Sequence, residues 1–484
     1  MRSRLSPNPR ILTAVCAAAL LSACAVGPKA PEATLPPQAS GAFIGQQMTT
    51  QVSSTPARDD WWRLYDDPIL DGLIAQALAQ NNDLEAAAAN LRLVRASLAE
   101  TRSARLPSTA IGAAAQRGRQ PAYTTTPGVG PDQSGPIAET YDVGLDVAYE
   151  IDLFGRVGSA IRAARADADA AQAALEVVQV SVAAETARAY ADSCSAGAQI
   201  AVAERTVALQ QETADLTLRL LEGGRGTGLD TARADAALQS TRASLPPLRA
   251  QRDAALYRLA TLTGVTPAEA GQAARTCARP PQLAQPIPVG DGASLLARRP
   301  DVRQAERRLA AAAARVNVAT ASLYPSITLG GSLGATAFDS SALGDDAAMR
   351  FSVGPLISWS FPNIAATRAR IRQAEAGTDI ALAQFDQTVL VALQETETAL
   401  SAYANELDRR AALTTARDRA ADAERLSRLR FDAGADSFLT LLDAQRTLAQ
   451  ADAALAASEA AVSNHQISLF KALAGGWSAE DGAD

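Results

Sequence analysis

Tyr141-Asp142-Val143-Gly144-Leu145-Asp146-Val147-Ala148-Tyr149-Glu150-Ile151-Asp152-Leu153 carries an apolar side chain at every second position, with acids and small residues between. A period of two is the signature of a strand and separates a greasy face from an acidic one. At about 3.3 Å per residue the run extends roughly 43 Å, enough to cross a bilayer at a tilt. Asp142, Asp146, Glu150 and Asp152 share one face, and four carboxylates cannot sit in hydrocarbon without a cost of several kcal/mol. The apolar face must therefore meet lipid and the acids must line water, predicting a lumen of negative potential.

Moving outward, the same change of period recurs. Phe351, Val353, Pro355, Ile357, Trp359 and Phe361 alternate in the second half, and shorter partners, Ser108 to Gln116 and Ser326 to Gly334, precede the two long runs. The intervening stretches, 118–138 and 336–349, are rich in Gly, Pro, Thr and Ser, so each pair reads as a hairpin with a long loop. An Ala-, Leu- and Arg-rich helix comes before each hairpin, Asp83 to Arg105 and Asp301 to Leu323, stopped by Pro107 or Pro325. A helix of roughly 65 residues follows each hairpin, Gly158 to Glu222 and Ala365 to Asp432, about 100 Å long at 1.5 Å per residue. Ile371, Phe385, Val389, Leu393, Leu400, Tyr403 and Leu407 recur at coiled-coil-like spacing, so these helices must pack on one another. Glycine turns at Gly223 to Gly228 and at Gly434 lead into return helices, Leu229 to Thr263 and Phe438 to Leu473, with Pro246-Pro247 expected to kink the first.

The order of features is thus the same in both halves, an internal two-fold repeat. Residue matches support it: at an offset of 218, Ala87 pairs with Ala305, Leu91 with Leu309, and Leu106-Pro107-Ser108 with Tyr324-Pro325-Ser326. At an offset of 210, Leu220-Leu221-Glu222-Gly223-Gly224 pairs with Arg430-Phe431-Asp432-Ala433-Gly434.

Composition agrees with a helical, exported chain. The 484 residues carry 45 basic and 52 acidic side chains and a net charge of −7, which excludes a charge-driven nucleic-acid binder. Hydrophobic residues make up 48% but aromatics only 4%, so most apolar content is Ala, suited to close helix packing rather than a large sandwich or Rossmann core. Arg2, Arg4 and Arg10 precede a run from Ile11 to Leu21 that is too short to span a bilayer and right for a secretory leader. Leu21-Ser22-Ala23-Cys24 resembles a bacterial lipobox, making Cys24 the acylated first residue, and Ala25 carries no inner-membrane retention signal. Export leaves Cys194 and Cys277 in an oxidising compartment, where a disulfide and two buried thiols both fit the count.

Enzyme signals are weak. The Gly223 to Gly228 run lacks a preceding strand and a Gly-Lys-Ser/Thr ending, so it is a helical-hairpin turn, not a phosphate loop. His465 is the only histidine, which leaves neither a metal set nor a Ser-His-acid arrangement. No cofactor and no catalytic residue is expected. Trp61 and Trp62 are expected to dock the N-terminal segment onto the helices.

Four strands cannot close a barrel, and open strand edges cannot face lipid, so the chain must oligomerise. Two, three or four copies satisfy the arithmetic, and three give twelve strands. At this point the residues resemble the TolC-type outer-membrane efflux proteins, in the NodT-like or OprM-like lipoprotein branch. The resemblance rests on the lipobox, Glu150 to Arg156, Arg298-Arg299-Pro300-Asp301-Val302, Tyr324-Pro325-Ser326, and Gly434 to Arg446. It implies an α+β membrane protein in which four β-strands per chain contribute to a trimeric 12-stranded outer-membrane β-barrel, continued by a long α-helical periplasmic barrel. It implies a homotrimer working with a periplasmic adaptor and an inner-membrane RND-type pump, conducting drugs or other small molecules passively to the exterior.

In such a chain the organisation is a signal peptide 1–23, a lipidated extended segment 24–66, a first repeat 67–263, an equatorial linker 264–294, a second repeat 295–475 and a tail 476–484. The resemblance places a periplasmic gate at the glycine turns, with Asp230, Asp443, Phe431, Gly224 and Gly434 as its residues and Thr440 where some relatives carry a further aspartate. A plain solvated-face reading of Asp230 and Asp443, favoured by the helix dipole, stands beside it. Counting along the helices brings Cys194 and Cys277 near the equator, making a clip between them plausible. The competing class is a structural coiled-coil lipoprotein without a conducting path; what discriminates is the polar strand face, which a spacer has no reason to keep wet.

Overall fold

The computed structural model describes residues 27–29, 31, 33–119, 137–283, 285–361 and 364–474. Cys24, the 1–23 leader, residues 120–136 of the first hairpin loop and the 476–484 tail lie outside these. In chain order the elements begin with β1 (Val52–Ser53), α1 (Pro68–Gln80), α2 (Asn82–Ser103), β2 (Ser108–Arg119), β3 (Ile137–Ile151), α3 (Arg156–Glu222) and α4 (Gly228–Leu262). They continue with α5 (Gln272–Thr276), β4 (Ile287–Pro288), α6 (Gly292–Arg298), α7 (Pro300–Ala321), β5 (Ser326–Ala337), β6 (Met349–Ser358), α8 (Ile364–Asp432) and α9 (Phe438–Ala472). The chain divides into two units. One comprises Met1–Ala33, Arg92–Ala170 and Glu306–Gln384 and contains the long strands; the other comprises Thr34–Leu91, Ala171–Ala305 and Phe385–Asp484 and is mainly helical.

In the first unit the long strands form one antiparallel sheet in the order β2-β3-β5-β6. Strand ends follow backbone chemistry. β5 starts at Ser326 because Pro325 has no N–H to extend the ladder, and its partner β6 accordingly stops at Ser358, short of the Phe361 that alternation suggests. Trp359 instead donates its indole N–H to the Leu323 carbonyl at 3.2 Å. β2 runs three residues past Gln116, paired to β3 as far as Arg119 with Ile137.

β3 stops at Ile151, which corrects one expectation: Asp152 is not on the strand. Its carboxylate accepts hydrogen bonds from the amides of Val157 (2.9 Å) and Gly158 (2.6 Å) in the first turn of α3. Those amides have no partner inside the helix and a positive end of the helix dipole behind them, so an aspartate just upstream is drawn to them.

In the helical unit one core gathers the N-terminal segment and the middles of the long helices. Trp61 is fully buried and stacks on Phe470 of α9 with ring centroids 4.7 Å apart, and Tyr65 meets Phe470 edge-on. The Glu397 carboxylate accepts from the amides of Ile44 (2.7 Å) and Gly45 (2.8 Å), fixing the segment to α8. Two residues of β1 pair in parallel with β4, Val52 with Ile287 and Ser53 with Pro288. Arg299, almost fully buried, donates to Asp301, to Glu395 (2.7 Å) and to the Ala472 carbonyl (2.8 Å), so the Arg-Arg-Pro-Asp motif closes α7 against α8 and α9. A buried guanidinium is tolerable only with such complete pairing.

Cys194 on α3 and Cys277 are joined by a disulfide, with Cα atoms 4.7 Å apart and a sequence separation of 83. Gly197, one turn further along α3, makes the approach feasible: a Cβ there would lie 2.2 Å from the Cys277 carbonyl oxygen. Pro246 and Pro247 lie inside the single helix α4. Among the described residues, no helix is long and apolar enough to cross a membrane.

Candidate functional site

Cross-strand register gives the sheet two chemically distinct faces. On one, the rows run Ile111-Leu145-Leu333-Phe351, Ala113-Val143-Ala335-Met349, and Val147-Gly331-Val353. These large apolar groups lie open, with Ile111 and Phe351 each 83% and Val353 78% exposed. An exposed apolar surface of this extent demands a cover. From Tyr141 to Ile151 it spans about 33 Å along the strand, or about 25 Å along a membrane normal at a tilt near 40°. Aromatics collect at the end where the helices join: Phe154 stacks on Tyr324 at 4.7 Å, and Trp359 lies 5.2 Å from Phe361. Such a rim suits a membrane–water interface.

The opposite face is small or polar apart from Leu356 of β6, which is level with Thr328 and Glu150. Its rows run Gly112-Gly144-Gly334-Arg350, Ala114-Asp142-Thr336, and Ala110-Asp146-Ser332-Ser352. Three of the four predicted acids, Asp142, Asp146 and Glu150, occupy this face at alternate positions, while Asp152 caps α3. Their surroundings differ. Asp142 accepts from the Arg350 guanidinium (2.9 Å) and from the Thr336 hydroxyl (2.7 Å), and Glu150 pairs with Arg156. Asp146 has no side-chain partner among the described residues. Sequence alternation could find the acids but not Arg350, which lies two strands from the carboxylate it meets.

The two tips are built alike. At the first, the amides of Arg225 and Gly224 donate to the Leu220 and Leu221 carbonyls; at the second, those of Ala435 and Gly434 donate to Arg430 and Phe431. This double bond terminates a helix through a left-handed residue, supplied by Gly224 (φ +69) and Gly434 (φ +70). Three residues later Thr227 and Ser437 cap the return helices, each accepting from the third helical amide, Asp230 and Thr440 respectively.

That geometry separates the two candidate gate aspartates. The Asp230 carboxylate is third in α4 and accepts from the Thr227 hydroxyl at 2.6 Å, so it belongs to the cap. Asp443 is the sixth residue of α9, past the first turn, exposed, and without a side-chain partner among the described residues. Phe431 is half-buried, packed edge-on against Phe438 at 6.1 Å and against the cluster of Ala234 and Leu442. The second tip also carries an ion pair that sequence reading missed: Arg430 donates to Asp436 through Nε (2.7 Å) and Nη2 (2.9 Å). That hydrogen bond, reinforced by the guanidinium charge, holds the Asp436 carboxyl below the usual carboxylate range.

A sheet with one apolar and one polar face, attached to helices this long, has the parts of an outer-membrane channel subunit. The chain belongs to the outer membrane efflux protein family, whose profile matches residues 73–265 and 293–475. It is similar to the antibiotic efflux pump outer membrane protein ArpC of Pseudomonas putida, 30% identical over 480 residues, 98% of this chain and 96% of that protein. It is 29% identical to outer membrane protein OprJ of Pseudomonas aeruginosa over 470 residues, 96% of each. The solved outer-membrane channel OprN superposes with a TM-score of 0.86 at 38% identity, covering 94% of this chain and all of that one. The chain is accordingly an outer-membrane efflux channel subunit, and its family is one of transport proteins rather than enzymes.

Proposed function

We propose that three copies close a twelve-stranded barrel, β2 of one chain pairing with β6 of the next, with the apolar face in lipid and the polar face around a water-filled lumen. The observation that carries this reading is the register, which, with Leu356 as the exception, sorts large apolar from polar side chains on four strands and leaves β2 and β6 as edges. Unpaired backbone groups at those edges have no water to bond in hydrocarbon, so closure by other copies is the available solution. The helices continue the conduit through the periplasm, and each half, 67–263 and 295–475, supplies one repeat of it.

In this reading Cys24 is acylated and anchors the chain, and the glycine-turn tips face the periplasm. There the channel receives drugs or other small molecules from an adaptor and an inner-membrane pump, as expected of a chain similar to an antibiotic efflux protein. Conduction is passive, since the pump supplies the energy. Asp443 is the better gate candidate of the two aspartates because no cap interaction accounts for it.

Purified protein in planar bilayers tests the whole. Stepwise conductance from particles with the mass of three chains is the expected result. Correctly assembled, membrane-inserted protein that passes no current would favour a structural lipoprotein instead.

A further inference from the structure

Arg350 lies on the same face as the acids and does not project away from the sheet. It reaches from β6 across β5 to β3, two interstrand spacings or about 9.6 Å, and places Nη2 3.0 and 2.9 Å from the two Asp142 oxygens. Thr336 lies between them, its hydroxyl accepting from Arg350 Nε (3.1 Å) and donating to Asp142 (2.7 Å). The path is clear because the row it crosses has no side chains: Arg350 is level with Gly334, Gly144 and Gly112. A Cβ on Gly144 would stand 3.1 Å from Nη2, and one on Gly334 would meet the Val143 carbonyl at 2.5 Å. Gly144 thus leaves open the space beside the guanidinium, and Gly334 lets β5 lie close against β3 beneath it.

Asp142 is matched by Arg350 and Glu150 by Arg156, and β2, β5 and the rest of β6 add no charged side chain to this face. Among the described residues of this face, Asp146 alone is unmatched. We infer that Arg350 is a specificity-determining residue of the outer pore: by cancelling Asp142 it limits the lumen's preference for cations to what Asp146 supplies. The inference rests on the reading that the polar face lines a wet lumen. Removing Arg350 exposes a second carboxylate per chain. Removing the Asp142 charge instead frees a cation to extend into the lumen opposite Asp146.

The local potential can be read apart from any gate. Ser352 neighbours Arg350 on this face and pairs with Ser332, which pairs with Asp146. In a Ser352→Cys background, modification rates by a trimethylammonium and by a sulfonate methanethiosulfonate reagent are compared in heat-modifiable, assembled protein. The cationic-to-anionic rate ratio should rise several-fold with Arg350→Ala, fall several-fold with Asp142→Asn, and return near the parent value in the double variant. Arg350→Gln supplies the same arm should Arg350→Ala fail to assemble. Ratios unmoved by either single change, with brisk labelling, would overturn the role of Arg350 and leave the lumen reading intact. No labelling by either reagent, where a lipid-soluble maleimide does react, would sink the lumen reading itself.

Discussion

Arg430 and Asp436 clasp the second helical tip through two hydrogen bonds of 2.7 and 2.9 Å, across a turn that repeats the paired amide-to-carbonyl bonds of the first tip. The positions equivalent by the 210-residue offset are Leu220 and Gly226, so the first tip has no such pair. Two turns of one design thus differ in how firmly a side chain holds them.

The clasp has a pH window. Because the folded Asp436 carboxyl lies below its ordinary value, the pair is present above that ordinary value, about 3.9, and is lost as pH falls through the depressed folded one. Amide exchange around 430–437, expressed relative to the intrinsic rate at each pH, should therefore be the same at pH 7 and pH 5. Asp436→Asn should speed it at both, with the first tip unchanged. Equal rates in parent and variant would show that the turn backbone suffices.

The two aspartates should separate in current records. Asp443→Ala is expected to enlarge single-channel conductance, since it removes an exposed charge that no local bond explains. Asp230→Ala should leave conductance nearer the parent and cost the first tip about 0.3–1 kcal/mol through the carboxylate lost from the first turn of α4. An effect confined to Asp230→Ala would move the gate to the first tip.

Cys277→Ser should lower the thermal unfolding midpoint, with about 2–5 kcal/mol as the usual scale for a lost native disulfide. Non-reducing peptide mass spectra of the parent should show Cys194 and Cys277 in one linked species. Two free thiols there would remove the basis for the expectation.

The sheet faces should answer oppositely to one residue. Val353→Arg puts a charge near the middle of the apolar band and is expected to cost about 2–4 kcal/mol and deplete inserted protein. Ser352→Arg, adjacent but on the polar face, should still assemble. Indifference at both positions would argue that neither face meets lipid.

What could be read from residues alone was periodic or punctuated. Tyr141 to Ile151 declared a strand by alternation, and Gly224 and Gly434 declared helix ends, because both signals lie within a few neighbouring residues. What escaped depends on partners outside the segment being read. The stop at Ser358 is decided by Pro325, just ahead of another strand, and the place of Asp152 by amides after a turn. The Arg350–Asp142 contact spans 208 residues and needs the register of three strands. The gate residues were proposed from resemblance, and only the cap geometry distinguishes Asp230 from Asp443.

The open edges of β2 and β6 have a genetic consequence. In the ring proposed above, one edge of each kind is consumed from every chain, so a variant with a single faulty edge spoils any assembly it enters. If half the chains in a cell carried such an edge and mixed freely, about one ring of three in eight would be intact. Edge lesions should therefore behave as dominant poisons when expressed beside the normal allele, whereas changes that merely unfold a chain before assembly should be recessive.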